Sequence, residues 1–370
     1  MSQLNPTVSV TGLLSFGHIR VTHLNLSAAS VGPLFRSWSP AADSVDLAPP
    51  VPVTPADQRR LDQVIGVVSN RRAHRNRQSG TRPPELPLHV LHSAPATLAE
   101  LDRTLAAFAR SRVGTLVIDG GDGTIRDVLS RAPAHFGDAM PMLALVPSGK
   151  TNALAIDVGV PSNWTLEDAI AAVASCGVVR RRPVEIVRAG EEGSLRGFLL
   201  GAGGFVQATA LAQHAHRWGA FQGLAVGLSL IGAVAQTLFG GRGNIWRRGE
   251  RMRVELADGR TVDQPFYLLL ASTLERLPLG LKPFGRVRSG LKLLGVDAPP
   301  RHLGLTLPAL LAGSEASWLD AQGYHRADPG RFRLRLDGDF VLDGETYRGG
   351  DLLVRRGLPL AFLSPAAPCA

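Results

Sequence analysis

Cysteine is almost missing from this chain: Cys176 and Cys369 are the two in 370 residues. Neither lies in a recognisable spacing, which excludes a disulfide framework or a zinc site and makes a reducing compartment, the cytoplasm, the expected location. Aromatic residues are few, and they do not interleave with the basic ones, so a nucleic-acid surface is not expected. His214-Ala-His216 places two imidazoles two residues apart, on different faces of a helix, and the other histidines are scattered, which leaves no metal cluster. Acidic residues fall short of basic ones, 31 against 40, and the resulting +9 points to an anionic partner: a membrane, a nucleic acid or a phosphorylated substrate. The first 19 residues lack a basic segment ahead of an apolar stretch, so no signal peptide is expected. Residues 1–58 carry few charges, many Ser and Pro, and no lasting period, as a disordered leader would. One long apolar run exists, from Gly223 to Gly240, broken by Ser229, Gln236 and Thr237 and followed by Arg242, Arg247 and Arg248. It sits at the lower edge of the length that spans a bilayer and reads instead as a buried or interfacial helix suited to anionic membrane.

The length favours two domains, and 45% hydrophobic residues with 41 glycines suit a globular α/β protein. Ile65-Gly-Val-Val-Ser69 reads as a buried strand, Leu86 to Leu91 as a second, and Thr97 to Arg112 as a helix with Leu98, Leu101, Leu105 and Phe108 on one face. Strand and helix alternate up to Ser175, the pattern of a doubly wound parallel sheet. Beyond Gly177 short strands and turns take over, at Val184–Arg188, Gly197–Leu200, Met252–Leu256, Phe266–Ala271 and the alternating Arg331–Leu336. The expected architecture is therefore α/β: a leader over 1–58, an N-terminal doubly wound nucleotide domain over 59–177, and a C-terminal β-rich, sandwich-like domain over 178–360 whose last segment packs back on the first.

Three turns carry the chemistry. Thr115-Leu-Val-Ile118 runs into Asp119-Gly-Gly-Asp-Gly-Thr124, and a helix-like stretch follows. Glycines 120, 121 and 123 leave backbone N–H groups open to phosphate oxygens. With Asp122 inside the turn and the Thr124 hydroxyl beside it, the segment suits a nucleoside triphosphate and a metal ion meeting an acceptor hydroxyl. The second turn, Pro147-Ser-Gly-Lys-Thr-Asn152, also joins a strand (Met140–Val146) to a helix (Ala153–Ile156). Gly149-Lys150-Thr151 matches the end of a P-loop, but the first glycine of that pattern would fall on Ala144. The third is Leu342-Asp-Gly-Glu345, by itself a hairpin turn like Ala257-Asp-Gly-Arg260. Just past the first strand, Arg71-Arg-Ala-His-Arg-Asn-Arg77 lies where open α/β sheets bind ligands, so phosphate contact by one of these arginines is expected.

In this order, GGDGT, then P-x-G-x-x-N-A-L-A, then DGE, the chain resembles the lipid kinase superfamily of diacylglycerol, sphingosine, ceramide and bacterial lipid kinases, over about residues 62–360. The resemblance implies ATP and Mg²⁺ held between an α/β domain and a β-rich domain, with a membrane lipid as acceptor and peripheral attachment to the inner face of the membrane. It implies nucleotide contacts from Asn70, Gly120, Gly121, Gly123, Thr124, Gly149, Lys150 and Asn152, and a metal contact from Asp122. Asp122, Asp343 and Glu345 become the catalytic candidates, one of the acidic residues serving as base. Arg71 stands where the family has proline, Lys150 where it has Thr or Ser, and Ala153 where diacylglycerol kinases often have Asp. Ser289-Gly290-Leu291 replaces the Asp-Gly segment that holds a structural magnesium in bacterial members, so that site is not carried over. NAD kinase, which shares the GGDGT turn, and a non-catalytic binder that keeps the fold are the alternatives.

Overall fold

The computed structural model describes residues 64–76, 87, 89–175, 177–191, 193–217, 248–286 and 290–365. The leader, the Gly223–Gly240 run, Arg77, Cys176, Ser289 and Cys369 lie outside them. Among the described residues there are two sheets.

The first sheet is the doubly wound one. Its parallel strands are β1 (Ile65–Ser69), β2 (Val90–Ser93), β3 (Thr115–Gly120) and β4 (Met142–Pro147), in spatial order β2-β1-β3-β4. β1, β3 and β4 are buried along their whole length, as strands covered on both faces must be. The described part of β2 begins at Val90, whose N–H closes a turn onto the Pro87 carbonyl, and Leu86, where the strand is expected to start, lies outside the described residues. α1 (Leu98–Arg110) is set by its first turn: Thr97 accepts from the Glu100 N–H, and the Glu100 carboxylate accepts from the Ala96 N–H. Leu101, Leu105 and Phe108 face the sheet as expected, whereas Leu98 stays half exposed at the helix start. Gly66 in β1 makes this packing possible, since a Cβ there would lie 2.8 Å from the Phe108 ring.

Three more helices follow: α2 (Asp122–Phe136), α3 (Ala153–Asp157) and α4 (Leu166–Ala171). α2 begins at Asp122, two residues before the expected Thr124. The sheet ends with strands from elsewhere: β5 (Gly177–Arg181) and β15 (Leu360–Ser364), which lies between β4 and β5, parallel to the first and antiparallel to the second.

The second sheet is antiparallel, with β6 (Val184–Arg188), β7 (Leu195–Gly197), β8 (Leu199–Gly203), β9 (Glu250–Leu256), β10 (Thr261–Ser272), β11 (Lys292–Asp297), β12 (Tyr324–Ala327), β13 (Arg331–Leu342) and β14 (Glu345–Arg356). β10 and β13 are long enough to pair with β9 at one end and β8 at the other. Their inward faces build one core around Phe266, Phe332 and Phe340. Alternate residues of β13 from Arg331 to Leu336 are exposed and buried, as its sequence period requires. The expected strand Gly197–Leu200 is split at Phe198, whose N–H leaves the ladder for the Asp343 carboxylate. Helices α5 (Gly204–Arg217), which carries His214 and His216, α6 (Leu303–Leu311) and α7 (Trp318–Ala321) complete the described elements.

A buried ionic knot ties the layers at the end of α3. Asp157, almost without solvent access, accepts from Arg181 Nε at 2.7 Å and from the Arg276 N–H at 2.6 Å. Arg181 also pairs with Glu275 at 2.8 Å, and burial lowers the pKa of nearby Lys292, against the pull of Asp157 and Glu275. Removing one partner of such a group strands the others. Asp157→Ala should lower the unfolding free energy by about 2–3 kcal/mol in urea denaturation, and a loss below about 0.5 kcal/mol would show that Glu275 alone satisfies Arg181.

Candidate functional site

Two turns at the carboxyl ends of β3 and β4 touch backbone to backbone. A Cβ on Gly121 would lie 2.8 Å from the Gly149 Cα, and one on Gly149 would lie 2.5 Å from the Gly121 Cα. Both positions therefore exclude any side chain, and the peptide groups around them stay bare. Gly120 is equally confined, its Cβ position lying 2.6 Å from the Thr124 side chain. The Thr124 hydroxyl accepts from the Asn70 amide at 2.8 Å, which brings the end of β1 to the same place. Asn152 holds a left-handed backbone (φ 51°) and closes its turn through both amide atoms, accepting from the Gly149 N–H and donating to the Gly149 carbonyl.

A second layer fixes these turns. The Asp119 carboxylate accepts from Ser148 Oγ at 2.5 Å and from the Asn76 amide at 3.0 Å, while the Arg75 N–H donates to the Ser148 carbonyl. Arg71 and Arg72 are exposed, and Arg75 is used in the fold, donating to the Trp164 and Asn163 carbonyls. Lys150 stands exposed at its turn.

Asp122 opens α2 and turns across to α3. Its carboxylate accepts from the N–H groups of Ala153 at 3.1 Å and Leu154 at 3.3 Å, the free donors at the start of that short helix. Burial raises its pKa, and these donors pull it back down. Asp343 reaches the same place from the other sheet. It occupies the first position of a two-residue hairpin turn with positive φ at Asp343 (45°) and Gly344 (82°), a backbone that Asp-Gly adopts readily. Its carboxylate accepts from the Phe198 N–H at 3.0 Å and the Leu199 N–H at 2.9 Å. Gly197 allows the approach, since a Cβ there would lie 2.5 Å from Asp343 Oδ2. Asp122, Ile125, Ala153, Leu154, Phe198 and Asp343 line one small pocket. Burial and, after it, the Asp122 charge push the Asp343 carboxyl up to about 7, against the two N–H donors and Arg126.

Arg126 was not among the sequence-derived candidates. Lying one helical turn after Asp122, it shares that face of α2, and its guanidinium is buried between Asp127 (2.7 Å), the Leu342 carbonyl (3.4 Å) and the Tyr347 ring (5.7 Å). The signal in the sequence was the i, i+4 spacing, and charged residues there look like a solvated face. Of the two acidic residues in the third motif, Asp343 enters the pocket, while Glu345 begins β14 exposed to solvent. The structure thus gathers Asn70, Gly120, Gly121, Thr124, Gly149, Asn152, Asp122 and Asp343, sets Gly123 beside the Arg126 guanidinium, 3.8 Å from its Cβ position, and leaves Lys150 and Glu345 exposed to solvent.

The arrangement of an α/β sheet with a large antiparallel sheet is similar to that of two solved Bacillus anthracis structures. One, a diacylglycerol kinase, aligns at 13% identity with a TM-score of 0.53; the other, provisionally assigned to the same activity, aligns at 16% and 0.58. In each case the alignment covers 82% of this chain and 98% of the relative. Residues 74–188 match the family model of the diacylglycerol kinase catalytic domain. No curated protein matches the sequence.

The raised Asp343 pKa has a measurable consequence for stability. Because the folded value exceeds the ordinary 3.8, the folded protein holds a proton between about pH 4 and pH 7 that the unfolded chain has released. The stabilisation is complete below pH 4 and is lost as the pH rises to 7. Asp343→Asn lacks this titration, so wild type should weaken relative to the variant over that window and run parallel to it above. Urea midpoints of both proteins from about pH 5 to about pH 8 check this, and parallel curves throughout would show an ordinary carboxylate.

Proposed function

We propose that the protein is an ATP-dependent lipid kinase that transfers the terminal phosphoryl group to a hydroxyl of a membrane lipid of the diacylglycerol or ceramide and sphingoid type. One observation carries the reading: Asp122 at the start of α2 and Asp343 in the β13–β14 turn line one pocket beside turns that meet backbone to backbone at Gly121 and Gly149, where burial and the Asp122 charge push Asp343 up to about 7. Phosphoryl transfer needs positioning and charge neutralisation more than covalent chemistry, and this is the equipment present.

The bare peptides of Gly120, Gly121 and Gly149 and the N-terminus of α2 would cradle the phosphates, with Thr124 and Asn70 fixing one end. Among the described residues no group of three metal-ligating side chains occurs. The donor set still suits magnesium that arrives on the nucleotide, which takes one or two carboxylates along with phosphate oxygens and waters. Asp122 would hold the magnesium, which when bound would supply positive charge to the phosphates. Asp343 would take the proton of the acceptor hydroxyl as that oxygen bonds the terminal phosphorus and the bond to the leaving diphosphate breaks. A base with a pKa of about 7 combines adequate ionisation with proton affinity at neutral pH. Arg126 keeps the DGE hairpin in place and lends positive charge to the seam. Lys150 would reach a phosphate from the rim as a mobile point charge.

Asp343→Asn should lower turnover by more than about a hundredfold at pH 7 with little change in the Michaelis constant for ATP, whereas Glu345→Gln should stay within about fivefold of wild type. Labelled ATP with detergent-dispersed diacylglycerol, ceramide and sphingosine, and with NAD, measures both and identifies the acceptor. Equal losses in the two variants would transfer the base role away from Asp343, and transfer to NAD alone would replace the lipid reading.

A further inference from the structure

Leu279 violates two local rules at once. Its backbone is left-handed (φ 60°), a conformation that costs a leucine about 1 kcal/mol or more and that glycine adopts freely. Its side chain is 71% exposed, the largest value among the exposed large hydrophobics. Nothing inside the fold rewards a leucine there, so its reward lies outside it.

Its neighbours make it the centre of a ridge. The Arg276 N–H binds Asp157 at the end of α3, where Ile156 is 42% exposed. On the other side the Lys282 N–H binds the Leu311 carbonyl at the end of α6. That helix, Leu-Gly-Leu-Thr-Leu-Pro-Ala-Leu-Leu, contains no charge and turns Gly304, Leu305 and Pro308 outward. Between the two, Leu277 packs against both the cluster containing Leu154 and Phe198, which line the pocket, and the cluster under α6. Three exposed apolar side chains, Ile156, Leu279 and Leu305, thus follow one connected path that starts beside the pocket. Exposed cations, Lys150, Arg276, Lys282 and Arg301, flank the same path. The exposed acids along it are engaged, Glu275 with Arg181 and Glu315 with Arg286.

We propose that this ridge is the membrane-docking surface: Leu279 and the outer face of α6 enter the apolar edge of an anionic bilayer, and the flanking cations meet its headgroups. Resting on the lipid-kinase reading, it explains how an acceptor anchored in a bilayer would reach a pocket between two sheets. Among the described residues no helix is long and apolar enough to cross a membrane, so contact of this kind would have to come from the surface.

The test uses the full chain and vesicles of phosphatidylcholine containing about 30% phosphatidylglycerol, a surface charge that attracts basic patches. In Leu279→Trp, the fluorescence added over wild type should be that of an indole in water without vesicles, shift to the blue with them, and be quenched by lipids brominated on the acyl chains. Leu279→Asp should cut vesicle partitioning at least about tenfold, and Lys282→Glu should weaken it more at low salt than at high salt. An added indole that stays in water while the protein binds would overturn the proposal, as would an indole already shielded without lipid, which would show that another part of the chain covers the ridge. Transfer to detergent-dispersed lipid is scored separately. Docking through Leu279 without any transfer would overturn the kinase reading and leave the surface standing, and transfer without docking would do the reverse.

Discussion

Everything around the pocket takes its spacing from the contact of two backbones at Gly121 and Gly149. Parallel strands deliver their turns to one edge of the sheet, and side chains normally hold such turns apart. Here a single methyl group at either position would force β3 and β4, or the helices they lead into, to separate. Asp122 can reach the donors at the start of α3 because the turns are this close, and Asn152 adopts its left-handed backbone to close the gap from its own side.

A second constraint is electrostatic. Two carboxylates share a small, poorly hydrated volume, which disfavours charge on both. Backbone N–H groups on each, at 153–154 and at 198–199, offset part of the cost, and at Asp343 the guanidinium of Arg126 adds a smaller part. Burial raises both carboxyls, and Asp343 is pushed up to about 7.

The doubly wound sheet was legible because β1, β3 and β4 are continuous apolar runs, with β3 leading into a glycine-rich turn and helical patterns between them. The Asp-Gly of the third motif was legible as a hairpin, and its hairpin geometry is what aims Asp343 at the pocket. What the sequence could not disclose was depth. Asp343 and Glu345 are two residues apart and chemically alike, and their different exposure depends on Gly197 and Phe198 in a strand far away along the chain. Arg126 was hidden for a similar reason, since an arginine on an amphipathic helix is ordinarily solvated and is buried here only because a hairpin from the other sheet covers it. The break of the β7–β8 strand at Phe198 shares this origin.

The placement of β15 bears on how the chain reaches this state. Phe362 is buried in the core that also holds Leu145, Leu154 and Phe198, and its strand fills the gap between β4 and β5. A ribosome releasing the chain from its N-terminus therefore exposes β4 with an open flank until nearly the whole of the second sheet has been made. During that interval the nascent first sheet has an apolar edge available to other chains, and closure must await contacts that are very distant in sequence, the kind that fold slowly. The flank of β4 is thus covered only by the last of the described strands.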